Sequence, residues 1–216
     1  MNAIDMIVNF FKQGGAFLYP IAAVFAVGLG FAVERFIYLT RVSHGNRRLW
    51  AELAPLIQGG NFRKAMEIAE KNDSALSTIM LYGMSRISTA HRREDIEKAM
   101  EESLMEVMPR LESRTHYLAT FANIATLLGL LGTIIGLIQA FTAVAEANPA
   151  EKADLLSASI SVAMNTTAFG LIVAIPLLFV HTVLQSKTTR IIDSLEMVSV
   201  KFLNAVDERR RQQTAA

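Results

Sequence analysis

The sequence contains no cysteine, which excludes disulfide bonds, thiol catalysis and thiolate metal sites. It also has no phosphate-binding loop, no His-Glu-x-x-His zinc motif and no nucleophile elbow. The net charge of +1, from 21 basic and 20 acidic residues, gives no overall basic field of the kind that binds nucleic acid. The N-terminus has no basic region and no small-residue cleavage site, so we expect no cleaved signal peptide. We therefore expect neither an enzyme nor a nucleic-acid-binding protein, and we expect no cofactor and no bound metal.

Apolar side chains, in contrast, are abundant and make up 52% of the 216 residues. A helix needs about 20 mostly apolar residues to cross a bilayer, and three runs reach that length. These predicted spans are residues 15–39, 117–145 and 160–186. The sequence therefore predicts an all-α membrane protein with three transmembrane helices, whose long helices extend into a helical domain outside the bilayer.

Basic residues are unevenly distributed between the segments that join the predicted spans. They concentrate in residues 40–116 and in the tail, 187–216, whereas residues 1–14 and the loop 146–159 contain one lysine each. The positive-inside rule therefore places the first two segments in the cytoplasm and the other two outside. Residues 1–14 repeat apolar side chains at helical spacing, which predicts an amphipathic helix on the outer membrane surface, or else an extension of the first span.

The predicted cytoplasmic segments have helical patterns. A Gly-Gly-Asn break at residues 59–61 precedes a short amphipathic stretch. From Arg92 onward, opposite charges recur four residues apart, and no glycine interrupts the chain before the second span. We predict one helix of about 80 Å from there through the second span, kinked at Pro109. The tail repeats apolar residues helically from Ile191 to Phe202 and is predicted to run beside it.

Polar residues interrupt the second span at regular intervals. Asn123, Thr126 and Thr133 fall on one helical stripe together with Leu130. The same span contains the stretch "GLLGTIIG", whose glycines have the spacing of closely packed membrane helices: Gly129, Gly132 and Gly136.

The third span carries the sequence Asn-Thr-Thr near its middle, at residues 165–167. At 100° per residue, Thr167 shares a face with Gly170, whereas Asn165 lies about 160° away. We interpret Thr167 as lining a path, Asn165 as bonding another helix, and Thr166 as lying on the boundary. The alternative is that these side chains only join helices, which contributes about 0.6 to 2 kcal/mol each, or bond their own backbone.

Three stretches of the sequence resemble one known family. They are "VERFIYL" at the end of the first span, "YLATFANIATLLGLLGTIIGLIQAF" in the second and "NTTAFGLIVAIPLLFVH" in the third. Together they resemble the ExbB, TolQ and MotA family of ion-channel subunits, and the three spans are similar to ExbB and TolQ rather than to the four-span MotA.

This resemblance implies a cation-driven rotary motor in the bacterial inner membrane. Five copies of the chain would surround two copies of a single-span ExbD- or TolR-like partner whose membrane Asp carries the ion. The motor would energise a TonB-like or Tol-like process. The threonines of the family's ion path correspond to Thr133 and Thr167, and we regard Thr126, Thr166 and Asn123 as further candidates for the path or the lumen.

The remaining site predictions concern structure rather than conduction. We expect helix packing by Gly129, Gly132, Gly136, Gly170 and Asn165. Glu34 and Arg35 end the first span, and we expect them to anchor it at the membrane interface by reaching toward water.

The sequence also departs from the family at two positions. Many ExbB and TolQ proteins have a Glu where this chain has Val162, and a Pro where it has Thr126. These departures leave the choice between protons and sodium ions open. The choice between ExbB-like and TolQ-like roles is open as well. The alternative function is a passive membrane scaffold without ion conduction.

Overall fold

The computed structural model of the protein describes residues 15–87, 89–90 and 92–215, and all regular secondary structure within these residues is helical. Three helical stretches are long and apolar enough to cross a membrane. The predicted all-α fold with three transmembrane helices is therefore confirmed, whereas the predicted helix at residues 1–14 lies outside the described residues. The helices, in chain order, are α1 (Leu18–Gln58), α2 (Phe62–Glu70), α3 (Ala75–Arg86), α4 (Arg93–Glu112), α5 (Thr115–Glu146) and α6 (Lys152–Ala215).

The connection between α5 and α6 is shorter than the predicted loop at 146–159. The amide of Glu151 donates to the carbonyl of Asn148 at 3.0 Å, which closes a turn with Pro149 at its second position. α6 begins at the next residue, and Asp154 in its first turn interacts favourably with the positive end of the helix dipole. The helix that contains the third span therefore begins at Lys152, within the predicted loop.

The prediction of one unbroken helix from Arg92 through the second span is wrong. Pro109 lies inside α4, but that helix ends at Glu112 and α5 starts at Thr115. The separation occurs at Arg114, whose φ of 64° is left-handed and cannot continue a right-handed helix. Residues other than glycine rarely adopt this conformation, so nothing in the sequence marked the break.

The chain forms two compact units, and α1 and α6 contribute to both. The span unit comprises Met1–Glu34 and Arg114–Val183. Small side chains in its core let the helices approach closely, while many large apolar side chains of α5 and α6 face outward, as in a protein surrounded by lipid. Its buried core cluster is Ile21, Ala122, Ala125, Val173, Ala174 and Leu177.

The helical unit comprises Arg35–Ser113 and Leu184–Ala216. The apolar stripe predicted for the tail is buried here, at Ile191, Leu195, Val198 and Phe202. The ring of Phe202 meets that of Phe62 on α2 edge to face, with 6.2 Å between centroids. The tail is therefore an amphipathic helix that packs within this unit.

Turns between the short helices have specific hydrogen bonds. At the end of α1, Gly60 has a φ of +74°, and the amide of Asn61 donates to the carbonyl of Leu56 at 2.8 Å. This is the glycine-dependent pattern that closes many helices. The side chain of Asn61 then accepts from the amide of Lys64 and caps α2, while Ser74 caps α3.

Candidate ion path

Within the span unit, α5 and α6 bring Thr133 and Thr167 together. Their hydroxyl groups are hydrogen-bonded to each other, and both residues are partly buried. The Thr167 hydroxyl also lies 2.9 Å from the carbonyl oxygen of Gly129, and the Thr133 hydroxyl lies 3.3 Å from that of Ala163. We name these two hydroxyls and two carbonyls the threonine cluster. Because each hydroxyl has one proton and two lone pairs, the cluster can both donate and accept hydrogen bonds.

Glycine makes this close approach of the two helices possible. A Cβ atom on Gly129 would lie 3.3 Å from the Cα atom of Gly170. A Cβ atom on Gly170 would lie 2.7 Å from the carbonyl oxygen of Ala125, closer than real Cβ atoms come. Since backbone atoms on both sides form this contact, neither helix can move aside for a larger residue without separating the pair.

Two further glycines of α5 continue the same contact. A Cβ atom on Gly132 would overlap the methyl group of Thr166, and one on Gly136 would lie 2.9 Å from the Cβ of Ala163. Thr166 itself is buried, and its hydroxyl donates to the carbonyl of Val162 at 3.1 Å. The structure therefore places Thr166 in the packed contact between the two helices.

The threonine cluster lies in a part of the chain without acidic or basic side chains. Residues 13–33, 117–145 and 155–180 contain no Asp, Glu, Lys, Arg or His. Among the residues that the structure describes, no three acidic or histidine side chains come together as a metal site requires. A charge at mid-membrane costs at least several kcal/mol, so hydroxyl and carbonyl oxygens are what this chain offers to reduce that cost.

The other polar candidates lie apart from the cluster. Asn123 and Thr126 are exposed on α5, and the Thr126 hydroxyl donates to the carbonyl of Ala122 in its own helix at 3.1 Å. Asn165 is partly buried on α6. The predicted stripe on the second span is thus exposed along much of its length and becomes partly buried at Thr133.

The two charged residues at the end of the first span have different environments. Glu34 is exposed and pairs with Arg114 at 3.4 Å. Arg35, in contrast, is only 2% exposed, its guanidinium donates to the carbonyl of Leu111, and it lies 4.9 Å from the ring centroid of Tyr38. Our expectation that Arg35 reaches toward water is therefore wrong, because the end of α4 covers it. Sequence reasoning missed this contact because the two residues are 76 positions apart.

Comparison with known proteins agrees with this architecture. Residues 71–197, more than half of the chain, match the sequence model of the MotA/TolQ/ExbB proton channel family. A putative biopolymer transport protein ExbB homolog of Methanothermobacter thermautotrophicus is 28% identical over 92% of this chain and 70% of its own length. The biopolymer transport protein ExbB of Pseudomonas putida is 28% identical over 63% of this chain, but that match spans only 44% of the relative.

The fold is also similar to a solved structure of MotAB from C. jejuni. The TM-score is 0.62 at 16% sequence identity, and the match covers 95% of this chain and 86% of the other. At this identity the similarity concerns the fold alone. The match of the family model to more than half of the sequence shows that the chain belongs to the MotA/TolQ/ExbB proton channel family, as an ExbB/TolQ-like ion-channel subunit.

Proposed function

We propose that this protein is an ExbB-like inner-membrane subunit of a rotary motor driven by an ion gradient. It works with a single-span ExbD- or TolR-like partner and energises a TonB-like or Tol-like transport process of the cell envelope. The threonine cluster is the part of the chain that the moving ion meets.

The observation that carries this proposal is the hydrogen-bonded pair Thr133–Thr167, which lies in stretches, 117–145 and 155–180, that contain no Asp, Glu, Lys, Arg or His. An ion carrier must gain and lose charge, and neither hydroxyl does so near neutral pH. The titrating group must therefore come from a second protein, and a membrane Asp of the partner fits that role. Hydroxyl groups beside this carboxylate stabilise its charged form without holding the ion permanently.

The proposed orientation places the helical unit in the cytoplasm, and the N-terminus and the α5–α6 connection in the periplasm. It is supported by the basic residues concentrated in 40–116 and 187–216. Each charge that crosses the membrane then releases about 2.3 kcal/mol per 100 mV, which is enough to bias rotation.

The proposed assembly is a homopentamer in which α5 and α6 surround a central apolar lumen and α1 lies outside. Its support is the row of large apolar side chains that α5 and α6 expose, including Leu127, Leu130 and Ile172, which neighbouring copies and lipid together would cover. Native mass spectrometry in mild detergent is expected to show five copies. A stable monomer or dimer under those conditions contradicts this assembly.

The function is tested by ion flux in vesicles that contain the chain and its single-span partner, under a proton or a sodium gradient. The double substitution Thr133→Val, Thr167→Val keeps the side-chain shape but removes both hydroxyls. We expect flux to fall roughly tenfold or more, because hydrogen bonds to a charged group contribute about 1.5–3 kcal/mol. The ion whose gradient drives flux in the wild type is the coupling ion.

Two controls complete the experiment. Thr126→Val removes a hydroxyl that is bonded within its own helix, and flux is expected to persist. Vesicles with the chain but without the partner are expected to conduct nothing. Normal flux in the double variant contradicts the role of the cluster, and flux without a partner contradicts the need for an external carboxylate.

A second candidate function is a passive scaffold that only holds other membrane proteins. It is favoured by the carbonyl partners of both hydroxyls and by the glycine contacts, since packing alone would also use these. In that case the wild-type chain with its partner conducts neither ion, while the pentamer still forms.

A further inference from the structure

The helical unit contains an open cavity of about 340 Å³ between α1, α3 and the tail of α6. This volume is within the range of sites that bind small molecules. Three cationic side chains line it: Arg47 from α1, and Lys187 and Arg190 from α6. No acidic side chain is among the described residues that line the cavity.

These three cationic side chains have no carboxylate partner among the described residues. Lys187 donates to the hydroxyl of Thr40 and lies 4.3 Å from the ring centroid of Phe36, so its partners are neutral. Like charges around one cavity repel each other, and an anion between them removes that repulsion.

The wall also contains a buried hydrogen-bond donor without an acceptor. Asn46 lines the cavity and is 7% exposed, and its side-chain oxygen accepts from the amide of Leu76 at 3.2 Å. That bond fixes the orientation of the side chain, because only the oxygen can accept. The amide nitrogen, Nδ2, is left without a partner among the described residues. A buried donor without an acceptor is destabilising. The group that would complete this part of the wall is therefore a hydrogen-bond acceptor.

The remaining lining is mixed, with apolar side chains beside Ser43 and Ser194. Leu76, Ile191 and Leu195 form part of the wall. Lys187 is the first residue after the predicted third span, and Arg190 follows within one helical turn. A ligand here can therefore place an anionic group among the cations and apolar atoms against the leucines.

From these observations we infer that the cavity binds a phosphate group, and that this group belongs to the headgroup of an anionic phospholipid. Arginine binds phosphate through paired N–H groups, and two arginines are present. Basic pockets just outside the spans are suited to anionic lipid headgroups. The site is separate from the threonine cluster and does not depend on the proposed ion path.

The test uses the full chain in mild detergent and native mass spectrometry, with phosphatidylglycerol and phosphatidylcholine of the same acyl chains as probes. Wild type is expected to bind phosphatidylglycerol at least about tenfold more tightly, because choline adds a positive charge beside the cations. In the double variant Arg47→Gln/Arg190→Gln, the preference for phosphatidylglycerol is expected to disappear. The control is the double variant Arg48→Gln/Arg211→Gln. It removes the same charge from the same two helices at positions that do not line the cavity, and it is expected to keep the preference.

A second variant tests the wall itself. Asn46→Asp keeps the oxygen that accepts from Leu76 and replaces the unpartnered donor with an anionic oxygen, so lipid binding should weaken while helical content is retained. Competition with inorganic phosphate shows whether the bound phosphate group belongs to a lipid or to a soluble compound. No displacement at millimolar concentration assigns the site to the lipid, and displacement that depends on Arg47 and Arg190 assigns the same phosphate site to a soluble compound. The inference is overturned if the wild type, the double variant Arg47→Gln/Arg190→Gln and the variant Asn46→Asp each bind the two lipids equally well.

Discussion

The hydroxyl groups of Thr133 and Thr167 are hydrogen-bonded to each other although the residues are 34 positions apart and lie on different helices. The carbonyl of Gly129 is within reach of both hydroxyls, at 3.2 Å from Thr133 and 2.9 Å from Thr167. The two threonines therefore form one polar group whose geometry depends on close contact between α5 and α6. A change at either residue, or in the glycines beside them, is expected to affect both.

The first prediction distinguishes the hydroxyl of Thr167 from its methyl group. Thr167→Ser keeps the oxygen that contacts Thr133 and Gly129, so ion flux with the partner should stay within about twofold of wild type. Thr167→Val keeps the shape and loses the oxygen, and flux should fall roughly tenfold. The measurement is vesicle flux at equal protein content. Equal flux in the Ser and Val variants would show that the hydroxyl has no role.

The second prediction concerns the glycine contact. Gly170→Ala places a Cβ atom 2.7 Å from the carbonyl oxygen of Ala125, so the helices must separate. Overpacking of this kind destabilises by about 1–3 kcal/mol, which thermal unfolding in detergent should detect as a lower midpoint.

Gly30→Ala is the matched control, because a Cβ atom there meets nothing within 4 Å. Alanine has the higher helix propensity, so the midpoint should stay the same or rise by the equivalent of at most about 1 kcal/mol. If both variants unfold at the same temperature, the close contact seen between α5 and α6 does not exist in the protein.

Much of the architecture could be predicted because it follows from local patterns. The spans follow from apolar runs, and the packing of the tail follows from the helical repeat of Ile191, Leu195 and Phe202. Thr133 and Thr167 could be selected by helical phase and family resemblance. That they bond each other could not, because it depends on the axial register of two helices, which no single-helix pattern contains.

One of the missed features is a local backbone conformation, and two depend on a second segment of the chain. Arg114 adopts a left-handed conformation without being glycine, so the break between α4 and α5 has no sequence mark. Arg35 ends an apolar run, which favours an exposed interface position, and only the carbonyl of Leu111 explains its burial. Asn46 is one polar residue among many on α1 until Leu76 fixes its orientation.

The third prediction compares two neighbouring charged residues. Arg35→Gln removes a buried guanidinium that donates to the carbonyl of Leu111, and a hydrogen bond from a charged group contributes about 1.5–3 kcal/mol. Glu34→Gln removes a carboxylate that is 44% exposed, and such surface pairs contribute at most about 1 kcal/mol. Thermal unfolding should therefore separate the two variants clearly. Glu34→Gln should also conduct like wild type, and loss of its flux with intact assembly would show that Glu34 belongs to the ion path.

The last prediction tests how the tail of α6 packs in the helical unit. Phe202 is fully buried, its ring meets that of Phe62 at 6.2 Å, and a Cβ atom on Gly83 would lie 3.0 Å from the ring. Phe202→Ala leaves a cavity and should destabilise the unit by about 3–5 kcal/mol. Trypsin should then cut at Lys201 and Arg209 much faster than in wild type, since cleavage follows the population of locally opened chain. Met197→Ala, on the same helix at a side chain that is 56% exposed, should leave the cleavage rate unchanged. Equal protection of the Phe202 and Met197 variants would mean that this aromatic contact does not hold the tail in place.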